Sequence, residues 1–315
     1  MAELEVIHET RYRYSAPVSL AHHLAHLQPL EDEHQELLQH ELVTAPEAQS
    51  RHGGFDAFGN PCLWFSSART HDELLVRSIS RVRTQPRFAG LQAEASPPWE
   101  RLAAGLRYGA RSAYDPAVQF TMPSPFVPRL EALRAYARPC FPAGCPVLAG
   151  ALALMRRLHA DFEYRSASTQ VDTPLAQAFE QRAGVCQDFA HLMAGALRML
   201  GLPARYVSGY LLTRPPGGTA DLLGADASHA WLQVYAPGTP GVPGGWLDLD
   251  PTNDLVPGSG HVRLAVGRDF GDVTPLRGVI RGGGRHTLAV AVRTRRIDEA
   301  GNGGSMGPAL ANGHG

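Results

Sequence analysis

A cysteine, a histidine and two aspartates in the second half of the chain have the residue types that thiol-dependent acyl transfer requires. Cys186 is a candidate nucleophile, and His229 is a candidate base, because histidine ordinarily titrates near neutral pH. Asp248 and Asp250 are carboxylates that could fix the imidazole tautomer and stabilise the imidazolium form. A simpler interpretation also exists, since a lone cysteine in a helix is usually a small buried hydrophobe. The elements that carry these residues decide between the two.

Cys186 is predicted to lie in the first turn of a helix. Apolar residues recur at helical spacing after it, and the Gly-Leu-Pro run at 201–203 supplies a stop. A short helix is predicted before it, with Thr173 as N-cap, Pro174 at the first helical position and Gly184 as the end. The partial positive charge at a helix N-terminus favours a thiolate, and the unpaired amides there could form part of an oxyanion hole.

His229 and the two aspartates are predicted on neighbouring strands. Residues alternate in polarity around His229, which shares a face with Trp231, and alternate again before Pro251, where Asp248 and Asp250 share a face. Strands this close in sequence can pair, so the imidazole and a carboxylate could meet across them. Periodicity alone does not distinguish the two aspartates, and turn-forming aspartates before a proline would give the same pattern.

Four motifs, in order along the chain, resemble the bacterial transglutaminase-like family. They are Gly184-Val185-Cys186-Gln187-Asp188-Phe189-Ala190-His191, Leu202-Pro203-Ala204-Arg205-Tyr206-Val207-Ser208-Gly209-Tyr210, Ser228-His229-Ala230-Trp231 and Asp250-Pro251-Thr252-Asn253. The stretches 8–18 and 56–60 are similar to the N-terminal region of this family, and the stretch 267–278 is similar to its C-terminal portion. Four ordered motifs are far more specific than a lone cysteine and histidine.

The resemblance implies a papain-like core in which Cys186 is the nucleophile, His229 the base and Asp250 the third member. It favours Asp250 over Asp248, which then becomes a supporting or surface carboxylate. Gln187 follows the nucleophile where animal transglutaminases have tryptophan, so the resemblance does not by itself imply their calcium dependence or their protein-crosslinking role. Three further residues are candidates for lining the site or assisting the oxyanion hole: Gln187, Tyr164 and Trp231. Tyr164 is better explained as an aromatic residue that packs a helix interface.

The fold class expected is α+β, with helices packed on an antiparallel sheet and a small β-domain in front. Residues 1–84 contain short alternating runs and are predicted to form this N-terminal β-rich domain. Residues 85–125 are predicted to connect it to a transglutaminase-like core over 126–298, which includes the C-terminal strands. Residues 299–315 are rich in glycine and alanine and are predicted to be a disordered tail.

Composition excludes several classes of partner. The net charge is −1, so there is no electrostatic case for binding nucleic acid or an anionic membrane. Apolar runs are too short to span a bilayer, and charged residues interrupt the first residues of the chain, which predicts a cytoplasmic location. All 29 residues counted as lysine or arginine are arginine. Schiff-base and Ser-Lys chemistry therefore require a residue type that the chain lacks.

No cofactor and no bound metal are expected. Cys62 is predicted to lie in the core, and Cys140 and Cys145 are predicted to be free thiols. The cluster of His22, His23 and His26 resembles a metal site, but interleaved leucines favour solvated or partly packed histidines.

The expected function is acyl transfer on a carboxamide or peptide bond of a protein or peptide substrate, through a thioester on Cys186. Water as acceptor makes the enzyme a peptidase or amidase, and an amine makes it a protein-glutamine transglutaminase. The alternative is a catalytically silent module that retains the cleft for binding or assembly. The oligomeric state is left open, and the loop 214–227 just before His229 is a candidate gate.

Overall fold

The computed structural model describes residues 1–107, 109, 113–165, 173–212 and 228–297. Its strands are β1 Ala2–Ala25, β2 Gln35–Ala45, β3 Ser50–Phe55, β4 Pro61–Ser67, β5 His71–Thr84, β6 Glu163–Tyr164, β7 Ala183–Gly184, β8 Ala204–Leu211, β9 Ser228–Tyr235, β10 Trp246–Leu249, β11 His261–Gly267, β12 Leu276–Gly282 and β13 His286–Arg296. Its α-helices are α1 Trp99–Gly105, α2 Glu131–Ala137, α3 Val147–Asp161, α4 Leu175–Gln181 and α5 Cys186–Met199. The α+β class is confirmed.

The N-terminal sheet is built around the long strand β1. Its strand order is β2-β5-β1-β4-β3, and β12 and β13 also pair with β1. This pairing differs from the expectation that the last strands belong to the catalytic core. β13 runs antiparallel to the first half of β1, from Leu4 opposite Arg296 to Tyr14 opposite His286. Period-2 alternation predicts that a segment is a strand but does not say which strand it will pair with.

The second sheet carries the candidate chemistry. It has the order β10-β9-β8-β11, and every pair in it is antiparallel. α5 packs on β8 and β9 and is itself covered by α2, α3 and α4. Most of its residues are buried, among them Phe189, Leu192, Met193 and Leu197, because the apolar positions of this helix face both the sheet and the other helices. The helix that begins at Cys186 is therefore packed between the second sheet and the helices α2, α3 and α4.

The boundaries before Cys186 differ slightly from those predicted. α4 begins after Pro174, which is its N-cap, so Thr173 lies outside the helix. α4 ends at Gln181, and the C-cap residue Arg182 adopts a left-handed conformation with φ 52°. Gly184 lies instead in β7, where a Cβ would come within 2.7 Å of the Asp188 side chain. This glycine is required for close packing beside the nucleophile rather than to end a helix.

The two sheets are connected by side-chain amides that hydrogen-bond to the backbone of the edge strand β11. The amide of Gln35 accepts from the Arg263 N–H at 2.8 Å and donates to the Arg263 carbonyl at 2.8 Å. The amide of Asn60 makes the same pair of bonds with Val266, each 2.7 Å long. Buried amides that pair with backbone in this way fix the strand in position. The N-terminal sheet is thus a structural support of the second sheet.

Two segments named above lie outside the described residues. They are the candidate gate 214–227 and the tail 299–315. No helix in the described part of the chain has the length and apolar character needed to cross a bilayer.

Gly209 in β8 offers a test of the packing under the site. A Cβ there would lie 2.2 Å from the Val262 carbonyl oxygen and 2.4 Å from the Trp231 ring, both held by the sheet. We expect Gly209→Ala to lower the free energy of unfolding by about 3 kcal/mol, measured by urea denaturation.

Gly53→Ala is the matched control, because a Cβ at Gly53 in β3 has nothing within 4 Å. It should change the free energy of unfolding by less than about 1 kcal/mol. Equal effects at the two glycines would show that β8 is not tightly packed against β9 and β11.

Candidate active site

The nucleophile candidate lies at the N-terminus of the most buried helix. Val185 is the N-cap residue in extended conformation, and Cys186 is the first residue of α5. The carboxylate of Asp188 accepts the Val185 N–H at 2.8 Å and so satisfies the amide that precedes the helix. Asp188 is 4% exposed and packs on Gly184. These contacts fix the peptide on either side of the thiol, at the positive end of the helix dipole.

The histidine and a carboxylate meet across β9 and the end of β10. His229 lies near the start of β9, and its Nε2 is 2.7 Å from Asp250 Oδ2. Asp250 directly follows β10 and is fully buried. Its Oδ1 accepts the backbone N–H groups of Thr252 at 3.1 Å and Asn253 at 3.2 Å, a turn that an aspartate before proline commonly forms. The turn points the carboxylate at the imidazole.

The imidazole also reaches the thiol. The Cys186 side chain is one of the two groups that raise the pKa of His229, and since Nε2 is occupied by Asp250, Nδ1 is the nitrogen left for the sulfur. Burial opposes a charge on His229, but the hydrogen bonds with Asp250 and Cys186 outweigh it and raise the pKa of His229 to about 10. The three side chains therefore stand in sequence, an arrangement suited to proton transfer between the sulfur and the imidazole.

The structure distinguishes the two aspartates that periodicity left equivalent. Asp250 contacts His229, whereas Asp248 lies opposite Gln233 in the β9–β10 ladder and 4.0 Å from Arg87. Burial raises the pKa of Asp248, while burial of Asp250 is outweighed by its hydrogen bonds with His229 and other donors, which hold its pKa well below its usual range. Asp250 is thus the carboxylate that stays ionised beside the imidazole.

The other three predicted site residues occupy different positions. Trp231 is fully buried and stacks against the His229 ring, with centroids 6.0 Å apart, so it supports the histidine ring from the protein interior. Tyr164 is 44% exposed and pairs in β6 with Gly184 of β7, beside the segment that leads to the nucleophile. Gln187 is half-buried in the first turn of α5. Their roles in lining the site stay predictions.

Two further contacts of Asp250 were not singled out from the sequence. The amide nitrogen of Asn253 lies 2.8 Å from Asp250 Oδ2, and His261 Nε2 lies 3.2 Å from the same oxygen. Asn253 belongs to a motif quoted above, but nothing in the spacing assigned it a contact. His261 opens β11, eleven residues after Asp250, and only the pairing of β11 with β8 brings it back.

The cluster of His229, Asp250 and His261 is also of a type that binds metals. Their ligand atoms lie within 4.8 Å of one another, and in the described residues no other group of three such side chains was found. The nitrogen-to-oxygen separations of 2.7 and 3.2 Å are those of hydrogen bonds between the side chains themselves. The histidines 22, 23 and 26 do not converge: His22 is exposed, and His26 bonds the Thr274 carbonyl and pairs with Asp56.

The remaining cysteines have different surroundings. Cys62, Cys140 and Cys145 are free thiols, as is Cys186, and Cys62 is buried in β4. Burial raises the pKa of all three thiols, which disfavours their thiolate forms.

Asp250→Asn tests the electrostatics of the pair. The pKa of His229 is raised above its unfolded value of about 6.5, so the protonated imidazole stabilises the folded chain. This stabilisation is full below about pH 6.5 and is lost as the pH rises through about 10. Without the carboxylate charge, the imidazolium should lose its proton at a pH lower by up to about 3 units. Alkylation of Cys186 by iodoacetamide measures this as the upper inflection of its pH profile. An unmoved inflection would show that Asp250 does not act on His229.

Comparisons with known proteins identify the family to which the chain is similar. Residues 4–83 match the model of the bacterial transglutaminase-like N-terminal region, and residues 134–251 match that of the transglutaminase-like superfamily. The second match contains Cys186, His229 and Asp250. An uncharacterised protein of Mycobacterium tuberculosis is 38% identical over 280 residues, which cover 87% of this chain and 86% of that protein.

Two further similarities are more limited. A protein-glutamine gamma-glutamyltransferase of Pseudomonas aeruginosa is 35% identical over 109 residues, which cover 33% of this chain but only 16% of that protein. A solved structure from Cytophaga hutchinsonii, provisionally described as a cysteine protease, superposes with a TM-score of 0.69 at 21% identity and covers 99% of this chain and 94% of that one. At that identity the superposition shows a shared fold.

Proposed function

The chain belongs to the transglutaminase-like superfamily, and on that premise we propose that it is a cysteine-dependent enzyme that transfers the acyl group of a carboxamide or peptide bond through a thioester. The observation that carries the proposal is the connected chain Cys186–His229–Asp250 at the N-terminus of α5. The proposed substrate is a protein or peptide.

The first half of the reaction forms the thioester. The Cys186 thiolate attacks the carbonyl carbon, and the oxygen gains negative charge beside the amides of the first turn of α5. His229 then donates its Nδ1 proton to the leaving amine as the carbon–nitrogen bond breaks. Asp250 holds the proton on Nε2, which keeps Nδ1 directed at the sulfur throughout.

The second half resolves the thioester. His229, now neutral, takes a proton from water or from an incoming amine, which attacks the same carbonyl carbon. The carbon–sulfur bond breaks, and the thiolate is restored beside the imidazolium. Water gives a carboxylic acid, which is the outcome of a peptidase or amidase. An amine gives a new amide, which is the outcome of a transglutaminase.

The absence of lysine makes the acceptor easy to identify. The chain has 29 arginines and no lysine, so it offers no lysine amine of its own as acceptor. Any lysine-linked product must therefore contain a second molecule. A small primary amine such as cadaverine, incorporated into a glutamine-containing peptide, gives a mass change that self-crosslinking through lysine cannot imitate.

The experiment offers a blocked glutamine dipeptide and unfolded casein to the full-length chain, each with and without cadaverine. Ammonia release with cadaverine incorporation would identify a transglutaminase, ammonia release alone an amidase, and new peptide fragments a peptidase. Each product should disappear in Cys186→Ala. The absence of every product, together with a Cys186 thiol that reacts like a free thiol, would overturn the proposal and favour the silent binding module.

We also propose a cytoplasmic location, in keeping with four cysteines that are free thiols, the form that reducing compartments maintain. Cell fractionation tests this, and recovery of the protein in a periplasmic or extracellular fraction would overturn it.

A further inference from the structure

His261 is a second histidine on the carboxylate that His229 uses. It is the first residue of β11, is 9% exposed, and places Nε2 3.2 Å from Asp250 Oδ2. His229 reaches that same oxygen at 2.7 Å. The His261 ring lies edge-on against Trp231, with centroids 5.3 Å apart, and the same tryptophan stacks on His229. One indole therefore orients both imidazoles toward one oxygen.

The carboxylate of Asp250 has more donors than sites to receive them. Oδ1 accepts from the backbone N–H groups of Thr252 and Asn253. Oδ2 is within hydrogen-bond distance of three donors, namely His229 Nε2, the Asn253 amide at 2.8 Å and His261 Nε2. A carboxylate oxygen has about two lone-pair positions, so three donors must share them. Sharing weakens each bond, including the bond to His229.

His261 is fixed in this place by the N-terminal sheet. The amides of Gln35 and Asn60 hold the backbone of β11 at Arg263 and Val266, which fixes the position of the strand that His261 opens. Behind the ring lies a cavity of about 10 Å³, room for one water molecule at most. The charged and titratable groups that line this cavity with His261 are His34, Arg87, Asp248 and Arg263.

We propose that His261 is a positioning residue that shares Asp250 Oδ2 with His229 and so limits how strongly the carboxylate stabilises the imidazolium form of His229. The inference rests on the proposed function, because sharing Asp250 Oδ2 matters only if His229 transfers protons during the reaction. His229 must release a proton to the leaving amine in each cycle, and an acid that binds its proton too strongly transfers it slowly. A second donor on the same oxygen weakens the attraction while leaving Asp250 ionised and oriented.

The effect has a definite sign. Without the His261 donor, Asp250 Oδ2 is shared by two donors instead of three, and its bond to His229 strengthens. The imidazolium then keeps its proton to a higher pH. The upper inflection of the Cys186 alkylation profile should rise by about 0.5 to 1 pH unit, the size that one hydrogen bond contributes. A purely structural role would instead loosen the site and move this inflection down, toward the ordinary histidine value.

The test compares three variants at one position in the full-length chain. His261→Leu removes the donor at similar volume. His261→Gln places an amide nitrogen near the position of Nε2, and His261→Asn places one near Nδ1, away from Asp250. Iodoacetamide pulses of a few seconds give the pH profile of alkylation at Cys186, and urea denaturation reports the stability of each variant.

We expect an upward shift in His261→Leu and His261→Asn and a near-wild-type inflection in His261→Gln. A downward shift, or identical inflections in all three variants and the wild type, would overturn the inference. If His261→Leu does not fold, the contrast between His261→Gln and His261→Asn decides. EDTA should leave the wild-type profile unchanged, and a profile that changes would mean that the cluster binds metal, which would also overturn the inference.

Failure of the proposed function gives a different result. If that function is wrong, the wild-type profile will lack any inflection that His229→Ala removes. If only the inference is wrong, the wild type will show the His229-dependent inflection and the His261 variants will not move it upward.

Discussion

Replacing Cys186 by alanine will lower the acyl-transfer rate by at least about 10⁴-fold, the loss expected when a covalent nucleophile is removed. In the proposed reaction the thioester forms on this sulfur, and alanine offers no nucleophile in its place. The free energy of unfolding should change by less than about 1 kcal/mol, because Cys186 is only half-buried and alanine is favourable in a helix. The rate is measured as ammonia, amide or peptide product, whichever substrate proves active.

Cys145→Ala is the matched control. Cys145 is also a half-buried free thiol, but its sulfur lies against the carbonyls of Cys140 and Pro146, and burial raises the pKa of its thiol. This variant should keep the wild-type rate. If Cys186→Ala instead retains more than about a tenth of the activity, the nucleophile is another group and the assignment of Cys186 is wrong.

The second large effect is expected at His229. His229→Ala should lower the rate by about 10³-fold, because in the proposed reaction the same imidazole donates a proton in thioester formation and accepts one in its breakdown. It should also lower the free energy of unfolding by about 1 to 3 kcal/mol, since the fully buried Asp250 carboxylate loses its shortest hydrogen bond. Single-turnover and steady-state rates together separate the two chemical steps, and both should fall.

The control for this variant is His22→Ala, because His22 is an exposed histidine of β1 in the other sheet. It should change neither rate nor stability appreciably. A His229→Ala enzyme that forms the thioester at the wild-type rate would show that proton donation comes from elsewhere, whatever its effect on hydrolysis.

The helix and the two strands that carry the site residues were predictable from residue patterns over short stretches of sequence. The helix that begins at Cys186 follows from helical spacing of apolar residues and from the Gly-Leu-Pro stop after it, and α5 runs over Cys186–Met199. The strands that carry His229 and precede Asp250 follow from alternation over short stretches, and β9 and β10 pair as neighbours. In each case the period of the backbone determines which side chains share a face.

The parts that sequence reasoning did not reach depend on pairing over long distances. His261 approaches Asp250 because β11 pairs with β8, about fifty residues earlier in the chain. β13 joins β1 across nearly the whole chain, from Leu4 opposite Arg296. Trp231 lies fully buried and stacks on His229, and its depth was not predictable, since sharing a face with the histidine on β9 does not determine how deeply that face is covered.

The measurement that tests the central claim most directly is the rate of iodoacetamide alkylation at Cys186 at about pH 6.5, located by peptide mass spectrometry. The account predicts a rate at least about tenfold above that of glutathione and of the other three cysteines, with most of this excess lost in His229→Ala. A Cys186 thiol that reacts no faster than glutathione, in a folded chain and independently of His229, would contradict the account.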